Sequence, residues 1–293
     1  MSGPQCCSNP PTLNPSSGAG HIEQLGGLTT YVSGSPDSKR AILFITDVYG
    51  FEAPLVRKLA DKVAAAGFFV VAPDFFHGDP FVPDDANRTI SVWLQDHGPD
   101  KGFDDAKPVV EALKNKGISA IGAAGVCWGA KVVVELAKVE LIQAAVLLHP
   151  SLVTVDDIKG HFLKYETISS FWGQSSHFNI ESRDRSNSPP ELLKQFEEIL
   201  SAKPEVDGFV KIFPKVSHGW TVRYNVEDAE AIKCADEAHE DLLAWFTKAS
   251  VFVEADEFVG SEHDFLFGIV AFGSLKPSCR RGVLYALGSF DWQ

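Results

Sequence analysis

A single cysteine lies between two glycines in the segment G-V-C-W-G at residues 125–129. The segment follows an apolar run at residues 118–124 and precedes a helical pattern at residues 131–138. This order predicts a sharp turn from a strand into a helix, with Cys127 held at the turn in a strained backbone conformation. The unpaired N–H groups and the dipole of the helix N-terminus favour a thiolate at that position. The pattern therefore predicts a thiol nucleophile, with the N–H of Trp128 as one half of an oxyanion hole.

The alternative interpretation of this segment is a glycine-rich turn that holds a buried thiol and does no chemistry. A motif of this length has many false positives when it stands alone. The interpretation of Cys127 therefore depends on the elements around the turn and on the groups that they bring to it.

Those elements alternate between strands and helices. Central strands of a parallel sheet are buried on both faces and consist of continuous apolar residues. Strands are predicted at residues 28–32, 41–46, 68–72, 118–124, 143–148 and 209–213. Helices are predicted at residues 53–66, 101–116, 131–138, 191–202 and 229–248. The order predicts an α/β fold with a mostly parallel central sheet and helices on both faces.

Four polar or reactive side chains follow predicted strands: Asp47, Cys127, His149 and His218. In open α/β sheets, sites form at the carboxyl ends of the strands. We therefore expect a site at this edge, with His218 as its base. His149, like His77, is expected to stabilise a loop and to take no part in catalysis.

The composition limits the possible partners. The net charge of −13, from 26 basic and 39 acidic residues, argues against nucleic acid or an anionic membrane as a partner. Five cysteines are too few and too scattered for a disulfide framework, and no metal-binding spacing is present. The sequence has neither a signal-peptide core nor an apolar run of membrane-spanning length. We expect a cytoplasmic monomer or homodimer that acts on a small molecule and holds neither a metal nor another cofactor.

Three regions are predicted along the chain. Residues 1–20 are rich in Pro, Ser, Gly and Asn and predict a flexible arm, and residues 21–250 form the α/β domain. Residues 251–293 form a tail of irregular pattern. Within the domain, a buried strand is expected at residues 159–184, but the best candidate there is the weak pattern of residues 167–172.

Four segments together resemble one known family. They are G-V-C-W-G at 125–129, D-V-Y-G-F at 47–51, P-D-F-F-H-G-D at 73–79 and S-H-G-W at 217–220. They resemble the dienelactone hydrolase (carboxymethylenebutenolidase) family, and most closely its plant-type members, over roughly residues 1–249. The resemblance implies an α/β-hydrolase fold and a Cys–His–Asp triad. Such enzymes open enol-lactones and some esters without a metal or an organic cofactor.

The resemblance also assigns expected roles to residues. Cys127 matches the nucleophile and His218 the base, while Asp184 best matches the acid of the triad. The N–H of Val48 would complete the oxyanion hole with that of Trp128.

Two further residues match substrate-binding positions of the family. Asp47 stands where many members carry a glutamate that holds the resting thiol, and Asp47 is shorter. Arg223 resembles an arginine that meets a carboxylate of the substrate. For Asp184 and Arg223, solvated surface positions are the alternative.

Two other functions stay open from the sequence. Some plant relatives are described as endo-β-glucanases, and a glycoside hydrolase needs two carboxylates across a cleft. Asp47, Asp74 and Asp79 are loop acids that could serve. A hydrolase homologue that binds a ligand but has lost catalysis is the second alternative, since the strand that normally delivers the acid is not recognisable.

Overall fold

The computed structural model describes residues 7, 9–83, 85, 87–160, 190–203, 208–213 and 216–259. The strands are β1 (His21–Leu25), β2 (Leu28–Ser33), β3 (Arg40–Ile45), β4 (Phe69–Pro73), β5 (Ala120–Val126) and β6 (Ala144–Leu148). The helices are α1 (Pro54–Ala65), α2 (Ile90–Asp96), α3 (Pro99–Asn115), α4 (Trp128–Lys138), α5 (Val155–Gly160), α6 (Pro190–Ser201) and α7 (Ala229–Val259).

The described strands form one mixed sheet in the order β1-β2-β4-β3-β5-β6. β1 and β2 pair antiparallel, as do β2 and β4, whereas β4, β3, β5 and β6 run parallel. Each of the last three is almost wholly buried, as the apolar runs predicted. The predicted α/β fold with a mostly parallel sheet is confirmed.

The register places the ends of the central strands at one level. Ile45 at the end of β3 pairs with Gly125, and Val126 at the end of β5 pairs with Leu148. The residues that follow these strands therefore emerge side by side at one edge of the sheet. Because the edge is built by three different segments of the chain, it can collect side chains that are far apart in sequence.

Helices cover both faces of β5. A Cβ on Gly122 would lie 2.7 Å from the ring of Phe246 in α7, and a Cβ on Gly125 would meet the backbone of Gly129 and Ala130 in α4. Side chains three positions apart on a strand point to opposite faces. Glycine at both positions therefore allows α7 on one face and α4 on the other to pack closely against the sheet.

Several details differ from the sequence predictions, and β1, α2 and α5 were not predicted. Residues 208–213 are not a strand, whereas one was predicted at 209–213. Most of the segment at residues 159–184, where a further buried strand was expected, lies outside the described residues. Helix α7 continues beyond the predicted end at Lys248 to Val259, and residues 260–293 of the tail lie outside the described part.

The described part of the arm is hydrogen bonded to the domain. The N–H of Asn14 donates to Glu52 O at 2.9 Å, and the Tyr49 hydroxyl donates to Cys7 O at 2.7 Å. The guanidinium of Arg57 donates to Pro15 O at 2.6 Å. No helix among the described residues has the length and apolar character needed to cross a bilayer.

Candidate active site

The predicted turn at Cys127 is present and strained. Cys127 has φ 54° and ψ −110°, and it stands between the last residue of β5 and the first residue of α4. A residue other than glycine adopts this positive-φ conformation only when the surrounding structure enforces it. Here the turn is enforced by close packing of α4 against the end of β3. A Cβ on Gly129 would collide with the carbonyl oxygens of Ile45 and Thr46. The start of α4 therefore lies directly against the end of β3.

The last residue of β6 and the segment after it are hydrogen bonded to the two sides of Cys127. The N–H of Cys127 donates to Leu148 O at 3.1 Å, and the N–H of Ser151 donates to Cys127 O at 2.9 Å. The sulfur of Cys127 lies 3.5 Å from Oγ of Ser151, and both residues are buried. Ser151 was not among the site residues expected from the sequence. Its position after a buried strand was the available signal.

His218 is buried in a series of turns that runs to Arg223, and it meets the same edge of the sheet. Its ring lies 4.9 Å from the ring of His149, centroid to centroid, in an edge-on arrangement. His149 Nε2 lies 2.9 Å from the hydroxyl oxygen of Thr221 in the same turns. Since His149 directly follows Leu148, which accepts the N–H of Cys127, the structure brings the predicted nucleophile and the predicted base into one cluster.

Asp47 and Arg223 form a buried ion pair beside this cluster. Arg223 Nε lies 3.1 Å from Asp47 Oδ2, and each side chain is 1% exposed. The N–H of Tyr49 donates to Asp47 Oδ1 at 3.1 Å, and the guanidinium of Arg223 lies over the Tyr49 ring at 5.1 Å. A Cβ on Gly219, the residue after His218, would collide with the Arg223 guanidinium. The two predicted substrate-binding residues therefore contact each other next to the predicted base.

The two predicted oxyanion donors also belong to this edge. Val48 follows Asp47 in the loop after β3, and its carbonyl accepts the N–H of Phe81 at 2.8 Å. Trp128 is the first residue of α4, and its indole Nε1 donates to His97 O at 2.9 Å. Both residues are buried, so their backbones are fixed by packing as well as by hydrogen bonds. Asp184, the predicted acid, lies outside the described residues.

Two groups near the site have shifted pKa values. Burial lowers the pKa of His239 on α7 to about 4, and its Nε2 lies 2.9 Å from Thr221 O. The hydrogen bonds from Arg88 and, more weakly, from His97 hold the pKa of Asp79 at about 2. His97 also supports the Trp128 indole through its carbonyl.

Comparison with known proteins identifies the family to which the chain is related. The sequence profile of the dienelactone hydrolase family matches residues 28–250. The chain is 38% identical over 208 residues to an endo-1,3;1,4-beta-D-glucanase of Zea mays, covering 69% of this chain and 63% of that protein. It is 29% identical over 234 residues to a carboxymethylenebutenolidase homolog of Xenopus tropicalis, covering 78% of this chain and 90% of that protein.

A solved structure shows the same fold. The dienelactone hydrolase of Anabaena variabilis superposes with a TM-score of 0.51 at 12% identity, covering 82% of this chain and 98% of that one. At that identity the likeness concerns the fold alone. The family profile spans most of the chain, from the start of β2 to residue 250 within α7. The chain therefore belongs to the dienelactone hydrolase family and has its α/β-hydrolase fold.

Proposed function

We propose that this chain hydrolyses a small ester or lactone by covalent catalysis at Cys127. Membership of the dienelactone hydrolase family supports a hydrolase of such substrates. The observation that carries the cysteine role is the backbone of Cys127, with φ 54° at the junction of β5 and α4. Strain of this kind is kept where surrounding structure enforces it, and it is concentrated at functional sites.

In the proposed reaction the thiolate of Cys127 attacks the carbonyl carbon of the substrate. The N–H groups of Trp128 and Val48 stabilise the oxyanion, and such a donor is worth about 3 kcal/mol. His218 gives a proton to the departing alcohol oxygen and then takes one from the water that attacks the thioester. Asp184 is proposed to orient the His218 ring and to stabilise its protonated form.

The test compares turnover of p-nitrophenyl acetate and of a dienelactone by the parent, Cys127→Ala and His218→Gln. We expect each variant to lose a factor of about a thousand or more in kcat, because the residues of such a unit fail together. Cys234→Ala is the matched control, since Cys234 is half-buried on α7 in a separate apolar cluster with Phe213 and Trp220. Asp184→Asn in the same assay tests the acid.

Retention of more than a tenth of parental turnover by Cys127→Ala would overturn the proposal. Mass spectrometry of the quenched reaction gives an independent readout. An acyl adduct on Cys127 is expected during turnover, and an adduct elsewhere contradicts the assignment.

The maize relative favours a second candidate, a glycoside hydrolase acting on β-glucan. That reaction requires two carboxylates at a defined separation. Of the loop acids, Asp74 accepts the N–H groups of Phe76 and Gly78, Asp79 is bound by Arg88, and Asp47 is paired with Arg223. Release of reducing sugar from mixed-linkage β-glucan, undiminished in Cys127→Ala, would favour this candidate. A chain inactive on both substrate classes would favour the non-catalytic binder.

We also propose a cytoplasmic location, because a nucleophilic thiolate is preserved in a reducing compartment. Cell fractionation with an antibody against the chain tests this. Recovery in a secreted or membrane fraction would contradict it.

A further inference from the structure

Ser151, in the segment after β6, contacts the sulfur of Cys127 as well as its backbone. Oγ of Ser151 lies 3.5 Å from Sγ of Cys127, and Ser151 is 1% exposed. The position of Ser151 is fixed by its N–H, which donates to Cys127 O at 2.9 Å. The backbone bond therefore fixes the Cα of Ser151 beside the turn, where its observed side-chain rotamer brings Oγ into contact with Sγ.

A hydroxyl can serve both protonation states of a thiol, because it donates one hydrogen bond and accepts others. When Cys127 is a thiol, its S–H donates to Oγ of Ser151. When the proton passes from Sγ to the His218 ring, a thiolate and an imidazolium form, and the Ser151 O–H rotates to donate to the sulfur. Hydrogen bonds to an ion are roughly twice as strong as those between neutral groups. The contact therefore stabilises the thiolate more than the thiol.

We propose that Ser151 is a positioning residue that orients the Cys127 sulfur and increases the acidity of its thiol. The proposal rests on the proposed role of Cys127 as nucleophile and adds a residue to that site. Removing the Ser151 hydroxyl leaves the charged and titratable neighbours in place. Those neighbours at this edge are Asp47, His149, His218 and Arg223.

The experiment follows the ultraviolet absorbance of the thiolate against pH. Subtracting the titration of a Cys127→Ala chain from that of the parent isolates this one thiol from the other cysteines. The same pair of curves is recorded in the Ser151→Ala background and in the Ser151→Thr background. We expect the midpoint to rise by about one pH unit in Ser151→Ala, the shift that corresponds to loss of one hydrogen bond to an ion. Ser151→Thr keeps the hydroxyl and is expected to stay near the parent.

Ser38→Ala is the matched control, because the Ser38 hydroxyl bonds Arg40 O at 2.9 Å and Gly67 O at 3.0 Å at the opposite edge of the sheet. Its midpoint is expected to equal that of the parent. Ser151→Gly removes the same hydroxyl and replaces Ser151→Ala if the alanine variant does not fold. A midpoint within about 0.3 pH units of the parent in either folded variant overturns the proposal. Because the titration uses no substrate, loss of the proposed esterase function and loss of the Ser151 effect are separate results.

Discussion

Asp47 and Arg223 form a buried ion pair at the candidate site. Both side chains are 1% exposed, so each charge depends on the other to offset its loss of hydration. Gly219, the residue after His218, lies so close to the Arg223 guanidinium that a Cβ at this position would collide with it. An arginine proposed to meet a substrate carboxylate is thus already oriented before substrate arrives.

Arg223→Ala is therefore expected to destabilise the chain by about 3–5 kcal/mol, since it leaves the Asp47 carboxylate buried without its partner. Urea unfolding measures this. Arg88→Ala, which breaks the more exposed pair with Asp79, is the control and is expected to cost much less. The KM for an ester bearing a carboxylate should also rise in Arg223→Ala relative to a neutral ester. Equal losses of stability in the two variants would contradict the importance of the buried pair.

At the scale of elements, the site is held by two short segments that meet. The segment after β6 contributes His149 and Ser151, and the turns from His218 to Arg223 contribute Thr221. His149 contacts both the His218 ring and the Thr221 hydroxyl. One side chain from the segment after β6 therefore makes two contacts with the turns that carry the predicted base. This residue was expected only to stabilise a loop, and the loop in question is the one that carries the predicted base.

Thr221→Val tests that link. The substitution keeps the shape of the side chain and removes the oxygen 2.9 Å from His149 Nε2. We expect a loss of stability of about 1–3 kcal/mol together with a fall in kcat, because the His218 turns lose their support. Thr30→Val is the control, since its buried hydroxyl donates to Leu28 O at 3.0 Å on the distant strand β2. If both variants lose stability and neither loses turnover, the link has no part in catalysis.

At the scale of the whole molecule, the buried His239 connects stability to pH. Its pKa is about 4 in the folded chain, lowered by burial from about 6.5. Between these values the unfolded chain binds a proton at this site and the folded chain does not. Stability is therefore lost as the pH falls through this window and is retained above it.

We expect this histidine to account for about 3 kcal/mol of the stability lost between pH 6.5 and pH 4. Urea unfolding at several pH values should show a shallower slope for His239→Gln than for the parent. His21→Gln is the control, because the His21 side chain is 67% exposed. A His239→Gln slope equal to that of the parent would refute the assignment.

Some parts of this molecule could be predicted from the sequence and others could not. The difference depends on how far apart in sequence the interacting residues are. The turn at Cys127 was predictable because its signals, an apolar run, two glycines and a helical pattern, are neighbours in sequence. The contact of Ser151 with Cys127 and the pairing of Asp47 with Arg223 depend on strand register and on packing. No local pattern encodes which of several strand-end residues will touch.

The attachment of the arm has a consequence for anyone who handles the protein. The Tyr49 hydroxyl donates to Cys7 O, and the N–H of the same tyrosine donates to Asp47 Oδ1. A purification tag or reporter fused ahead of Cys7 would therefore be attached next to a residue that is hydrogen bonded to Tyr49, which also binds Asp47 at the candidate site. Kinetic constants measured with such a fusion belong to the fusion, and comparison before and after tag cleavage would show how far the arm controls turnover.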